Sequence, residues 1–170
     1  MSSPLDGKIC IVTGASRGIG HAIAARLASD GARVAAIARN VEKLDALSAT
    51  HESITSYPTD VASEDDVARV VNAIAEDHGG VDALINNAGV GAFGGLDDID
   101  YQEFLRGLEV NVGGTFLFTR AVVPSMKKRG GGDIINIASV TGWHGYPRQA
   151  GYGASKHAVI GLTKSLAVCD

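Results

Sequence analysis

The chain has 170 residues, with 15 lysines and arginines against 19 aspartates and glutamates, a net charge of −4 with histidine neutral. That is one domain's worth of chain, long enough to bury a substantial core. A hydrophobic fraction of 45% beside 20% charged residues excludes disorder as the main state, and the mild acidity argues against nucleic acid as a partner.

Apolar, β-branched runs alternate along the chain with longer segments of helical period. Lys8–Val12 reads as a short buried strand, Gly18–Ser29 as a helix closed by Gly31, Arg33–Ala38 as a second strand, Val41–Ala49 as a second helix and Ile54–Tyr57 as a weaker strand. Ser63–His78 reads as a helix with Ser63 as N-cap and Asp66 three positions on; Val67, Val70, Val71 and Ile74 then share one face. Gly79-Gly80 stops it. Val81–Asn86 is a strand. One long helix follows from Asp100 to Arg129, with Phe104, Leu108, Val112 and Thr115 at helical spacing and Lys127-Lys128-Arg129 matching its C-terminal dipole. Asp133–Ala138 is a strand and Tyr152–Val168 a last helix. Strands alternating with helices predict an α/β domain, a doubly wound parallel sheet covered on both faces in three layers.

Several classes drop out. The cysteines, Cys10 and Cys169, stand at opposite ends of the chain and give no disulfide framework, so a reducing cytoplasm is the simplest setting. The five histidines lack zinc spacing, and no metal is expected. Asp6 and Lys8 fall where a signal peptide needs an apolar core, and the longest apolar runs are far too short to span a bilayer, so no membrane is expected as a partner.

The first strand runs into Thr13-Gly14-Ala15-Ser16-Arg17-Gly18-Ile19-Gly20 and then a helix. This strand, glycine turn and helix N-terminus is the context of a dinucleotide pyrophosphate site, where glycines admit close backbone approach and the helix end offers unpaired N–H groups. The ribose reader belongs at the end of the second strand. There the chain carries Ala38-Arg39 with no carboxylate, and Arg17 stands within reach in the glycine loop. Two guanidiniums suit an extra phosphate dianion, which predicts NADP(H).

Three more pieces accompany the glycine loop: Asn86-Asn87-Ala88-Gly89 after the fourth strand, Ser139 at the end of the fifth, and Tyr152-Gly153-Ala154-Ser155-Lys156 opening the last helix, with Tyr152 thirteen positions after Ser139. Together with Asn111 they resemble the short-chain dehydrogenase/reductase family, in particular its carbonyl reductase and 3-oxoacyl-[acyl-carrier-protein] reductase type. The resemblance implies a Rossmann fold and the interconversion of a small-molecule carbonyl and alcohol. It implies Tyr152 as general acid and base, Lys156 binding the nicotinamide ribose and favouring the phenolate, Ser139 holding the substrate oxygen and Asn111 anchoring a water in a proton relay. Asn87, Ala88 and Gly89 would line the cofactor, and Asp60-Val61 would contact the adenine. Tyr152 and Lys156, four apart on one helix face, are neighbours, and a cation beside a phenol stabilises its charged form.

Asn111 is a poor helix former placed inside a well-patterned helix, which points to function. Trp143, His144, Tyr146 and Pro147 are expected to border the substrate pocket as an aromatic wall, and the loop Gly91–Gly95 reads as flexible. The resemblance implies a homo-oligomer in the full-length form, a dimer or tetramer; Phe116, Leu117 and Val159 would suit outer-face apolar contacts there, or equally positions in the core. It also implies further strands after the last helix, so the fold would be incomplete at its C-terminus and the fifth strand would be left with an open edge. A second reading follows from the expected missing segment: a truncated, non-catalytic nucleotide-binding or interaction variant of such an enzyme.

Overall fold

A computed structural model describes residues 3–169 of the chain. Five parallel strands, β1 (Ile9–Thr13), β2 (Arg33–Ala38), β3 (Ile54–Pro58), β4 (Ala83–Asn86) and β5 (Asp133–Asn136), lie in the order β3-β2-β1-β4-β5. The helices are α1 (Gly18–Ser29), α2 (Val41–Ser48), α3 (Glu64–His78), α4 (Tyr101–Leu108), α5 (Gly114–Lys128) and α6 (Ala150–Leu166). This is the expected three-layer, doubly wound Rossmann architecture.

The layers follow from the two-residue period of a strand. In β1, Ile9 and Ile11 face a core filled by Val67, Val70, Val71 and Ile74 of α3 and by Phe118, Val122 and Met126 of α5. Cys10 and Val12 face the opposite core, built with Ala24 and Ala28 of α1 and Leu44 and Leu47 of α2. All five residues of β1 are buried, which is why the run is apolar throughout rather than alternating. The Cys10 thiol is pushed up to about 11, first by its burial and then by the nearby Asp82 carboxylate. It is a small apolar filler rather than a nucleophile.

Ser63 caps α3 from just outside it, its hydroxyl accepting from the Asp66 N–H at 3.3 Å, and the four anticipated apolar residues of α3 are all buried. The helix expected over Asp100–Arg129 is different. Asp100 is its N-cap, and between α4 and α5 the chain makes a π turn over Glu109–Gly113. The extra residue in that turn slips the phase of the apolar stripe. Phe104, Leu108 and Val112 are only partly buried; the buried positions are Gly107 in α4, Val110 and Asn111 in the turn, and Gly114, Thr115, Phe118, Thr119, Val122 and Met126 in α5. Of the three residues that suited either an outer face or the core, Val159 is in the core at 1% exposure, Leu117 packs partly buried against the core, and Phe116 is exposed.

At the amino ends of the strands one carboxylate joins three elements. Asp82 accepts from the Ile9 N–H at 3.0 Å, takes both oxygens to Arg129 Nη2 at 3.0 Å, and has Lys8 Nζ at 3.5 Å. Arg129 at the end of α5 thus does more than match a helix dipole. Burial works to raise Asp82, but the Ile9 N–H and Arg129 outweigh it and hold the carboxyl below its ordinary value of 3.8. A carboxyl lowered in the folded state stabilises fully above the unfolded value, and that stabilisation is lost as pH falls through the folded value. Asp82→Ala should therefore cost about 2 kcal/mol at pH 7. In urea melts the gap between the two proteins should be wide at pH 7 and narrow as pH falls through and below the ordinary carboxyl value of 3.8; a gap that stays open in acid would show that the contribution is packing rather than charge.

Candidate active site

β1 lies between β2 and β4, so the loops leaving their carboxyl ends part to opposite sides and open a crevice. A cleft of about 570 Å³ lies there. It gathers Gly14, Ser16, Arg17, Gly18 and Ile19 from the glycine loop, Arg39 from the end of β2, Asp60 and Val61 after β3, and Asn87, Ala88 and Gly89 after β4. Gly20 is buried behind the loop. Asn40, Lys43 and Arg106 also line the cleft and were not singled out from the sequence. Only their place in the fold reveals them, since none belongs to a motif.

The glycine loop is knotted to β4. Thr13 Oγ1 accepts from the N–H groups of Asn87 and Ala88 at 3.0 and 2.9 Å, and Asn87 Nδ2 donates to Thr13 O at 2.9 Å. A Cβ on Gly14 would lie 2.8 Å from both Ala88 Cα and Asn87 Nδ2, at a backbone φ of +69° that already favours glycine. Gly18, at φ +57°, faces open space. The first turn of α1 receives no side-chain cap, since Arg17 at the N-cap makes no such bond. Its N–H groups and dipole are left for an anion, so the residues present fit a dinucleotide pyrophosphate.

Asp60 accepts from the Ala62 N–H at 3.1 Å and from Arg106 Nη2 at 3.3 and 2.9 Å. Partial burial would raise its carboxyl, but these donors, with Arg39 adding a weaker attraction, hold it low. Arg106 is thereby engaged, with Glu109 as a second partner at 3.6 Å. Arg17 and Arg39 are exposed at the cleft and form no ion pair among the described residues.

The catalytic candidates meet where α6 begins. Asn111, 1% exposed in the π turn, donates from Nδ2 to Val90 O at 2.9 Å and Ser155 Oγ at 2.8 Å, while its Oδ1 accepts from the Val90 N–H at 2.8 Å. Ser155, fully buried, donates to Tyr152 O at 2.7 Å. Asn111 thus joins the π turn, the loop after β4 and the first turn of α6, and Ser155 is the link that motif reading quoted without a role. Lys156 is 5% exposed, donates from Nζ to Ile137 O at 2.7 Å and lies 5.8 Å from the centre of the Tyr152 ring. Burial lowers its ammonium from the ordinary value of 10.5. A Cβ on Gly89 would sit 3.7 Å from Lys156 Nζ, so the ammonium stands at the end of the cleft. Ser139 begins the short turn Val140–Gly142, its hydroxyl accepting from the Thr141 N–H at 3.3 Å, and that turn packs on α6 at Lys156.

The residues expected to border the substrate pocket all lie at the surface. Trp143 is turned onto α6, with Lys164 Nζ 4.6 Å over its ring, and His144, Tyr146 and Pro147 are exposed. The ring found beside Tyr152 is Phe93, at 5.0 Å between centres.

Fold and crevice define the doubly wound, Rossmann-type class. Within it, the chain belongs to the short chain dehydrogenase family, whose sequence profile matches residues 8–168. Dehydrogenase/reductase SDR family member 4 of Bos taurus is 43% identical over 98% of this chain. The chain spans 61% of that relative's length. Among solved structures, NAD+-bound xylitol dehydrogenase superposes with a TM-score of 0.93 at 40% identity, covering 97% of this chain and 65% of its own. A metagenomic short-chain oxidoreductase in complex with NADP superposes with a TM-score of 0.91 at 40% identity, covering 96% and 76%. In the described residues β5 is an edge strand, with Ile135 52% exposed, and no helix is long and apolar enough to cross a membrane.

Removing the Asn111 side chain strands partners on two segments, Val90 after β4 and the buried Ser155 in α6. Asn111→Ala should cost about 3 kcal/mol and lower Tm by on the order of 10 °C. Calorimetry checks this; a shift of under about 2 °C would show that the three bonds contribute little.

Proposed function

We propose that the protein is an NADP(H)-dependent oxidoreductase interconverting a carbonyl and an alcohol. The observation that carries the reaction is the buried Lys156 ammonium beside the Tyr152 ring at the end of the dinucleotide cleft. When bound, the coenzyme supplies or accepts the hydride. Tyr152 gives its hydroxyl proton to the substrate oxygen in reduction and takes it back in oxidation. Lys156 favours negative charge on that phenol oxygen, and Ser139 donates to the oxygen on which charge develops. Asn111 spends its side chain on Val90 and Ser155, so a relay water would rest on its main-chain carbonyl, which also accepts from Thr115 Oγ1 at 2.8 Å.

The NADP(H) preference rests on charge. Arg39 and Arg17 have no ion-pair partner among the described residues, no carboxylate ends β2, and the nearest acid in the cleft, Asp60, is held by Arg106. Lys43, which also lines the cleft, adds a third cation. A dianionic 2′-phosphate matches this arrangement, whereas a bare ribose diol does not use it. The enzyme we propose is cytoplasmic and self-associating, with the exposed Phe116 of α5 as an apolar contact position.

NADPH should bind the 170-residue chain at least tenfold more tightly than NADH, and Arg39→Asp should reverse the order. Coenzyme fluorescence measures both constants. Equal binding of the two would remove the phosphate reading, and a folded chain that binds neither would favour the interaction-protein reading. Tyr152→Phe should leave coenzyme binding unchanged and lower carbonyl reduction by roughly 10²–10⁴-fold.

A further inference from the structure

We propose that Phe93 is a specificity-determining residue of this site, an aromatic wall that selects flat aryl ketones or the corresponding alcohols. The proposal rests on the reading of Tyr152 as the residue that meets the substrate oxygen. The Phe93 ring packs on Tyr152 at 5.0 Å between centres and an interplanar angle of 53°, yet it is 60% exposed. One side of the ring thus supports the reacting phenol, and much of the rest is open.

The surroundings show why the ring stays there although three glycines, Gly91, Gly94 and Gly95, surround it. On one side, Ala92 O accepts from the Tyr152 N–H at 3.3 Å. On the other, the Gly94 N–H donates to Arg148 O at 3.0 Å, and Gly94 bridges Gln149 in strand fashion. Phe93 is therefore held between two backbone anchors to the start of α6. Asp98 reinforces them, accepting from the Gly95 N–H at 3.2 Å and from Arg148 Nη2 at 2.9 Å. The ring lies against the Cα face of Gly91, where any Cβ would collide with it. So the glycine at 91 seats the ring, in a loop tied on both sides of Phe93 to the start of α6.

An open ring fixed beside a hydrogen-bond donor offers a substrate one geometry. A planar aryl group can stack against Phe93 while its carbonyl oxygen reaches the Tyr152 hydroxyl. A saturated ring of the same size fills similar volume but loses the offset stacking contact, a difference of about tenfold in affinity at most.

The test uses acetophenone and cyclohexyl methyl ketone as probes, titrated into the whole chain with and without NADP+ and followed by ligand-observed saturation-transfer NMR. Acetophenone should bind at least fivefold more tightly than its saturated analogue. Phe93→Ala should weaken acetophenone about tenfold and the saturated ketone by less than threefold, Phe93→Leu should behave like alanine toward acetophenone, and Phe93→Tyr should restore it. Coenzyme affinity should be the same in all four proteins. Equal affinity for the two ketones, an unchanged acetophenone constant in Phe93→Ala, rescue by leucine, or no ketone signal from the folded chain would each overturn the proposal. Loss of NADP+ binding alone would overturn the coenzyme reading and leave the Phe93 contrast measurable in the titration without coenzyme.

Discussion

The hydrogen-bond knot between the ends of β1 and β4 is the constraint on which the site is built. Thr13 Oγ1 takes both N–H groups of Asn87 and Ala88, and Asn87 returns its amide to the Thr13 carbonyl. These strands are neighbours whose outgoing loops diverge, so their carboxyl ends would otherwise expose unpaired backbone groups at the floor of the crevice. The knot satisfies those groups and fixes where the glycine loop lies. It also divides the glycines by task. Gly14 and Gly20 clear the atoms of the knot, since a Cβ on either would strike Asn87, while Gly18 is left facing open space. A left-handed backbone, φ +57°, favours glycine at 18; protein packing demands the other two.

A second anchor repeats this logic one layer away. Asn111 was legible as an anomaly, because asparagine is unfavourable inside a helix. Its cause was not legible. The side chain must reach Val90 on one element and Ser155 on another, and the π turn at Glu109–Gly113 swings it into position. Helical spacing cannot show that turn, because an i→i+5 bond leaves no repeat of its own and only displaces the stripe that follows. Phe104 and Leu108 ahead of the turn and Val112 within it looked like a core face and are only partly buried, Gly107 and Val110 are buried instead, and Thr115 beyond the turn is buried as expected. The same limit governs Val159: one amphipathic helix has two faces, and sequence alone does not say which one meets the sheet.

Elsewhere the sequence was nearly sufficient, for a physical reason. A parallel sheet buried on both faces needs continuous apolar runs, and β1 and β2 supply them. Motifs whose members are close in the chain, such as Thr13–Gly20 and Tyr152–Lys156, reach the site as units. Contacts between distant segments escaped. Phe93 stands alone among glycines and has no periodic partner, and its neighbour Tyr152 comes 59 positions later. Trp143, by contrast, drew attention as part of an aromatic cluster near the site, and its ring lies exposed beneath Lys164.

Charge placement ties the two halves of the crevice together. Asp60 and Arg39 both line the cleft, and left to themselves an acid and a guanidinium so placed would neutralise each other. Arg106, carried in from α4, prevents this: it binds both oxygens of Asp60 and keeps that carboxyl ionised and occupied. The positive charge at the end of β2 is then not spent inside the protein. An acidic chain can in this way keep a local field of the opposite sign at one mouth, because at contact distances the nearest few charges outweigh a net charge of −4 spread over the whole surface. Arg106 contributes by holding the competing acid rather than by meeting the ligand, and it comes from an element with no part in the dinucleotide motif.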